Sequence, residues 1–152
     1  MHERLTKLLT LHEGERLKVY RCPAGKLSIG VGRNLEDLGI TVSESRHLLA
    51  NDILRVAREL DGSFPWWRGL SGVRQAVLID MCFNLGMPRL KGFRLMMTAL
   101  ESGDWPEAAR QMLNSKWAAD VKTRADRLIR MMETDEWPEE LLDKIAGRAG
   151  AI

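Results

Sequence analysis

The stretch that most restricts how this chain can fold is Leu11 to Asn34, LHEGERLKVYRCPAGKLSIGVGRN. It interrupts a pattern that is helical nearly everywhere else. Gly14, Pro23, Gly25, Gly30 and Gly32 all fall inside it. Breakers at that density exclude a continuous helix and punctuate short strands. Just before them, Leu5, Leu8, Leu9 and His12 recur at helical spacing, which predicts a helix over about residues 2–13, ended by Gly14. Glu13 lies four residues after Leu9 and eight after Leu5, on their side of that helix. A carboxyl at the edge of an apolar stripe and at a helix C-terminus is expected to hold its proton to higher pH. A general acid needs that property.

Leu17–Arg21 alternates as a strand does, and Cys22-Pro23-Ala24-Gly25 has proline second and glycine fourth, as a type I turn prefers. The return strand is expected over Lys26–Gly32, with Leu27, Ile29 and Val31 on a core face. Ser28, Gly30 and Gly32 take the other face, a hydroxyl between bare backbone where a ligand can approach closely. Singly, these residues are ordinary: a glutamate at a helix end is solvated, a lone cysteine is a small buried hydrophobe, and a strand serine carries no message. Their joint spacing is what singles them out.

The length of 152 residues supports one domain with a real core, in two lobes at most. The formal net charge of +2 is too small to point to nucleic acid. Charge is unevenly spread: residues 87–130 hold nine Lys/Arg against five Asp/Glu, and residues 131–152 hold two against six. A basic lobe would suit a polyanionic substrate such as a cell wall, but an ordinary solvated surface is the favoured explanation of this feature alone. Two cysteines make no disulfide framework; Cys82 sits in an apolar helical run and reads as core, with a bridge to Cys22 the less favoured option. The N-terminus lacks the apolar run of a signal peptide, and no stretch reaches the roughly 20 apolar residues of a membrane span. The chain is expected to fold in the cytoplasm as a monomer.

Beyond the hairpin, Arg33–Ile40 is a short polar connection. Thr41 and Glu44 then form a capping box that opens a long helix with Leu48, Leu49, Ile53, Val56, Ala57 and Leu60 as its stripe. Asp61–Pro65 breaks it, and Trp66-Trp67 reads as packing before sugar stacking. Ser71–Leu85 is apolar nearly all round, a buried central helix ended by Gly86 and Pro88. Phe93–Leu100 is a short Leu/Met helix, Gly103–Glu107 a turn into a helix continued by Ala108–Leu113, and Glu139–Ile152 a further helical extension. No repeat, phosphate loop or metal-ligand spacing is present, so neither cofactor nor metal is expected.

Glu13, eight residues, Cys22, five residues, Ser28 resembles the Glu-x8-Asp/Cys-x5-Thr motif of the phage-type lysozymes, the T-even phage lysozyme family. The surrounding HEGERLKVYRCPAGKLSIGVGR resembles that family's EG-x-RLK-x-Y hairpin ending in Ile-Gly-x-Gly, and the likeness covers roughly residues 5–137. It implies an α+β, mostly α, lysozyme-like fold: a small lobe with a β-hairpin (about 12–50) and a larger helical lobe (about 51–137 plus helix 1–11), joined by the long helix. Residues 138–152 lie beyond it. The resemblance also implies an Arg33–Asp52 ion pair, trimmed connections in the small lobe, and Phe83-Asn84-Leu85-Gly86 at the floor of a cleft. Ser115-Lys116-Trp117 and Thr123-Arg124-Ala125-Asp126-Arg127 resemble further family segments, with Arg124 as the arginine that reaches the catalytic glutamate. Gly30, Gly32, Asn84 and Trp117 become substrate-binding candidates, Asn84 being read first as structural.

The implied activity is hydrolysis of the β-1,4 bond between N-acetylmuramic acid and N-acetylglucosamine in bacterial peptidoglycan, lysing the host once a separate factor releases the protein to the wall. Glu13 is the acid; Cys22 and Ser28 occupy the positions that place a water in the family. Serine keeps the family's hydroxyl. A thiol with a pKa near ~8.5 is a weak acceptor when neutral and a base or nucleophile when ionised. Three rivals stand beside this reading: a lytic transglycosylase needing Glu13 alone, a chitinase-like enzyme, and a non-catalytic wall-binding or helical DNA-binding domain.

Overall fold

The computed structural model describes residues 1–149; the last three residues of the C-terminal extension lie outside the described residues. The chain divides into two compact units, Met1–Leu49 and Ala50–Ile152.

In the first unit, α1 (His2–Glu13) is followed by a three-stranded antiparallel sheet in the order β1 (Arg16–Arg21), β2 (Leu27–Gly30), β3 (Arg33–Asn34). A hairpin alone was expected. The return strand stops at Gly30 because Gly30 and Gly32 adopt positive φ of 65° and 71°, which reverses the chain and pairs Ile29 with Arg33. The two glycines therefore make a turn, where an open strand face was expected. β3 puts a neighbour on each side of Ser28, which pairs with Tyr20 on β1 and Asn34 on β3. Ser28 is consequently 1% exposed, while Leu27 and Ile29 are half-buried and Val31 is exposed, the reverse of the expected faces.

α2 (Val42–Ser63) begins in the first unit and ends in the second. It opens on the expected capping box: the Thr41 amide donates to Glu44 Oε2 at 2.7 Å, and the Glu44 amide to Thr41 Oγ1 at 3.2 Å. Its buried residues are Val56, Ala57 and Leu60, the last three of the expected stripe. A 3₁₀ turn (Pro65–Gly69) follows, then α3 (Gly72–Leu85), α4 (Met87–Leu90), α5 (Arg94–Ser102), α6 (Trp105–Leu113), α7 (Lys116–Val121), α8 (Thr123–Thr134) and α9 (Glu139–Ala149). The extension is thus helical, as expected.

The core belongs to the second unit. Leu60, Val77, Leu78, Met81, Leu90, Met96, Leu100, Met112 and Met132 are fully buried in it. Unbranched Met side chains fill irregular gaps between the short helices. Trp67 is buried there too, its indole donating to Asp61 Oδ1 at 2.8 Å, while Trp66 is partly buried and packs on Phe64. Arg68 and the Trp67 N–H hold the Asp61 carboxyl down to a pKa of about 2.

Among the described residues one charged side chain is buried in this core: Arg74 on α3, 8% exposed. Its Nε donates to the Met132 carbonyl at 3.0 Å, its Nη2 to that of Glu133 at 3.4 Å, and its Nη1 lies 3.2 Å from Asp135 Oδ2. The guanidinium also stacks 4.1 Å from the Trp105 ring centroid. It satisfies the open carbonyls at the end of α8 and the negative pole of that helix. Asp135, at a left-handed φ of 61°, also accepts from Ser71, the N-cap of α3. Replacing Arg74 by Met should lower the unfolding free energy by about 2–4 kcal/mol, since it strands those acceptors. Urea unfolding followed by tryptophan fluorescence checks this, and a loss under about 0.5 kcal/mol would show that the clamp is dispensable.

Candidate active site

Glu13 is the last residue of α1, whose turn closes when the Gly14 amide donates to the Thr10 carbonyl at 2.9 Å. Its carboxyl lies against the bare backbone of the second turn. A Cβ placed on Gly32 would stand 3.4 Å from Glu13 Oε2. Thr6, Leu9, Thr10, Glu13, Val31 and Gly32 line an open depression of about 390 Å³ there. Leu9 and Glu13 share a face, as their spacing requires. The Thr6 and Thr10 hydroxyls are spent on helix carbonyls four residues back, so the depression offers one ionisable group between short alkyl walls. Within the first unit no described cation pairs with Glu13.

Cys22 opens the first turn. The Gly25 amide donates to its carbonyl at 2.8 Å, Gly25 takes φ 80°, and the Cys22 amide donates to the Lys26 carbonyl at 2.9 Å. Arg21 braces the turn by donating to the Gly25 carbonyl. The thiol is half-buried, and N–H donation from Lys26 moves its pKa below the ordinary thiol value against the next-largest effect, burial, with donation from Ala24 adding a smaller lowering. The Ser28 hydroxyl adds to this. Its hydrogen has two acceptors in reach, the Lys26 carbonyl at 3.3 Å and the Cys22 sulfur, and serves one at a time. A thiolate would draw it. The structure therefore brings Cys22 and Ser28 together, with the serine buried behind the thiol.

Arg33, on β3, pairs with Glu44 of the capping box through Nη2–Oε1 at 2.8 Å and Nη1–Oε2 at 3.4 Å. The Thr41 amide, then its hydroxyl, then Arg33 hold the Glu44 carboxyl below the usual carboxylate range. The expected partner, Asp52, instead faces Arg55 at 3.5 Å on its own helix. The correction follows from the short connection, which delivers Arg33 to the first turn of α2. Asp52 lies about 12 Å farther along the axis at 1.5 Å per residue.

In the second unit Arg124 is held by Asp80: Nε donates to Oδ1 at 2.8 Å and Nη2 to the Asp80 carbonyl at 3.4 Å. Sequence reasoning named Arg124 and missed Asp80, whose signal was an isolated acid in an apolar helix. Asn84 and Trp117 also meet. The Trp117 indole donates to Asn84 Oδ1 at 2.8 Å, and both residues line a cavity of about 840 Å³. Both cysteines are free, with Cys82 buried in the core as expected. Among the described residues no group of three or more His, Cys, Asp or Glu side chains is arranged to hold a metal ion, and no helix is long and apolar enough to cross a membrane.

Residues 10–132 match the phage lysozyme family. Probable T4-type lysozyme 1 of Dictyostelium discoideum is 27% identical over 84% of this chain and 92% of its own length. An endolysin of Acyrthosiphon pisum secondary endosymbiont phage 1 is 29% identical over 73% of this chain and 75% of its own. The pre-baseplate central spike protein Gp5 of Enterobacteria phage T4 is 27% identical over 86% of this chain, which spans 28% of that protein.

Iodoacetamide should alkylate one thiol of the native protein, Cys22. Burial pushes Cys82 up and covers it. The rate should rise with pH about a midpoint below that of an ordinary thiol, and Ser28→Ala should move that midpoint upward. Peptide mapping that finds Cys82 modified first, or a midpoint that Ser28→Ala leaves in place, would contradict this account.

Proposed function

The chain belongs to the phage lysozyme family, and from that premise we propose that it hydrolyses the β-1,4 bond between N-acetylmuramic acid and N-acetylglucosamine in bacterial peptidoglycan. The observation that supports this most is the Glu13 carboxyl held against Gly32, open to a depression with no other ionisable group. In this reading Glu13 protonates the glycosidic oxygen as the bond to C1 breaks and the sugar gains oxocarbenium character.

Cys22 takes the place of a second carboxyl. As a thiolate it accepts a proton from the attacking water, and as a thiol it places that water, with the Ser28 hydroxyl behind it; hydrogen bonds donated to the sulfur lower its pKa. Acting as base on the far face it yields inversion; bonding to C1 itself it yields retention. Arg124, held at its Nε edge by Asp80, keeps the supporting role that the family resemblance gives it. Arg33 steadies the second turn through Glu44. Asp52 is left a supporting place on α2 beside Arg55. Gly30 and Gly32 shape the approach to the acid, and Asn84 and Trp117 bind substrate on the second unit. The protein acts as a monomer, gathers in the host cytoplasm and reaches the wall through a separate membrane-permeabilising factor, lysing the cell.

A second reading, lytic transglycosylase, draws on the thiol at residue 22. Without a second carboxylate, the muramic 6-hydroxyl can replace water as nucleophile while Glu13 works alone. Mass spectrometry of fragments released from purified peptidoglycan separates the two. Hydrolysis leaves reducing muramic ends, and transglycosylation leaves 1,6-anhydro ends.

Glu13→Gln should lower turnover on peptidoglycan by about 10²–10⁴-fold with the fold intact, and Cys22→Asp should preserve or raise it. A Glu13→Gln protein that still releases fragments at the parent rate would remove the acid from the mechanism. Gly32→Ala and Gly30→Ala should each cost about 1–2 kcal/mol of stability, because both sites have positive φ. Gly32→Ala should additionally lower turnover, since its Cβ would touch the Glu13 carboxyl at 3.4 Å, whereas the Cβ at residue 30 meets nothing within 4 Å. Equal activities for the two variants would show that the contact with Gly32 does not position the acid.

A further inference from the structure

Glu36 follows β3 and lies outside the spacing that singles out Glu13, Cys22 and Ser28, yet it meets the first turn of the sheet at three points. Its Oε1 accepts from the Leu27 amide at 3.0 Å. The same oxygen lies 3.8 Å from Arg21 Nη1, and Oε2 lies 3.8 Å from Lys26 Nζ. Arg21 and Lys26 flank the turn that Cys22 opens, one on each limb. Asp37 also takes Lys26, at 3.0 Å, and is itself fixed by Asn34, which donates to its carboxylate at 2.8 Å and accepts from its amide at 3.0 Å. Of the other charged groups on these strands, Arg16 stacks 4.6 Å from the Tyr20 ring centroid, Lys18 is exposed, and Arg33 is taken up by Glu44.

The Leu27 N–H and the Lys26 carbonyl belong to one peptide group. That carbonyl accepts from the Cys22 amide at 2.9 Å and from the Ser28 hydroxyl at 3.3 Å. A carboxylate on the N–H side polarises a peptide group and makes its oxygen a better acceptor. Ser28 is 1% exposed, so its single hydrogen is divided between the Lys26 carbonyl and the Cys22 sulfur. We propose that Glu36 is a positioning residue for Cys22: by gripping the Leu27 amide it keeps the Ser28 hydroxyl on the Lys26 carbonyl and off the sulfur. The thiolate then lacks one of its donors. The carboxylate beside Arg21 and Lys26 also spares the sulfur part of their charge. Both effects favour the thiol, which places a water, over the thiolate, which takes a proton from it or attacks C1. The inference rests on Cys22 handling the water in the proposed reaction and names the group that sets its protonation.

Glu36→Gln removes the charge and keeps an acceptor oxygen for the Leu27 amide. In the whole protein it should move the pH midpoint of Cys22 alkylation by iodoacetamide downward. In the Ser28→Ala protein the same substitution should move the midpoint by about half as much or less, because the hydroxyl that relays the effect is gone. An effect of charge alone would leave the shift at full size. A second measurement needs no variant: in the parent protein the NMR resonance of the Leu27 amide should titrate in acid with the Glu36 carboxyl, and that of the Cys22 amide should follow it across the Lys26 carbonyl. A midpoint unmoved or raised by Glu36→Gln, a shift undiminished in the Ser28→Ala protein, or a Leu27 amide indifferent to the carboxyl overturns the proposal. Alkylation reads the thiol without cleavage, so its failure is distinct from that of the catalytic reading, which stands or falls with Glu13→Gln and the fragment ends.

Discussion

A buried guanidinium has to find acceptors for its donors, and the second unit is arranged around meeting that demand for Arg74. Two α8 carbonyls, the Asp135 carboxylate and the Trp105 face surround it. The arrangement ties the first turn of α3 to the last turn of α8. Farther along α3, Asp80 takes Arg124 from the first turn of α8. Residue numbers rise along α3 from one pair to the next and fall along α8, so the helices run antiparallel with their register pinned at both ends. The charges are exchanged between the two pairs: arginine then aspartate on α3, aspartate then arginine at α8. A slip of one helical turn would leave a buried cation without partners, a cost of several kcal/mol. Arg124 is therefore placed by the same constraint that builds the core.

The first unit solves a different problem with far less buried surface. Its sheet is small and its geometry comes from the backbone. Gly25, Gly30 and Gly32 supply positive φ at the two reversals, and the Arg33–Glu44 pair fastens the end of the sheet to the first turn of α2. The same reversals position the candidate residues. The first wraps backbone N–H groups around the Cys22 sulfur. The second brings Gly32, with no side chain, against Glu13. Stability and the geometry of the candidate site thus share the glycines, and a side chain at residue 32 would meet both.

How far the molecule was legible in advance follows from the range of each interaction. The Thr41–Glu44 box, the turn at Cys22–Gly25, the end of α1 at Gly14 and the burial of Cys82 and Trp67 were readable, because three- and four-residue spacings and local composition decide them. The two-residue β3 was not, because it is too short to show a period, and its absence from the reading inverted the expected faces of β2 and left Ser28 on the wrong side. Arg74 and the oxygens it binds are 58 or more residues apart, beyond any periodicity. The partner of Arg33 was misassigned since a shortened connection changes which turn of α2 it meets, and loop length alone does not state where a loop leads.

The sequence by itself determined the mostly helical class with one small β element, the family, and the candidates Glu13, Cys22 and Ser28, because those depend on residue type and short spacing. Only the tertiary structure decided that Ser28 is buried behind the thiol, that Gly32 rather than Gly30 touches the acid, that Asp80 holds Arg124, and that Asn84 turns its amide hydrogens away from Trp117. Each of those depends on which distant groups share a volume. Packing and the demand that every buried donor find an acceptor settle that, and no local pattern encodes it.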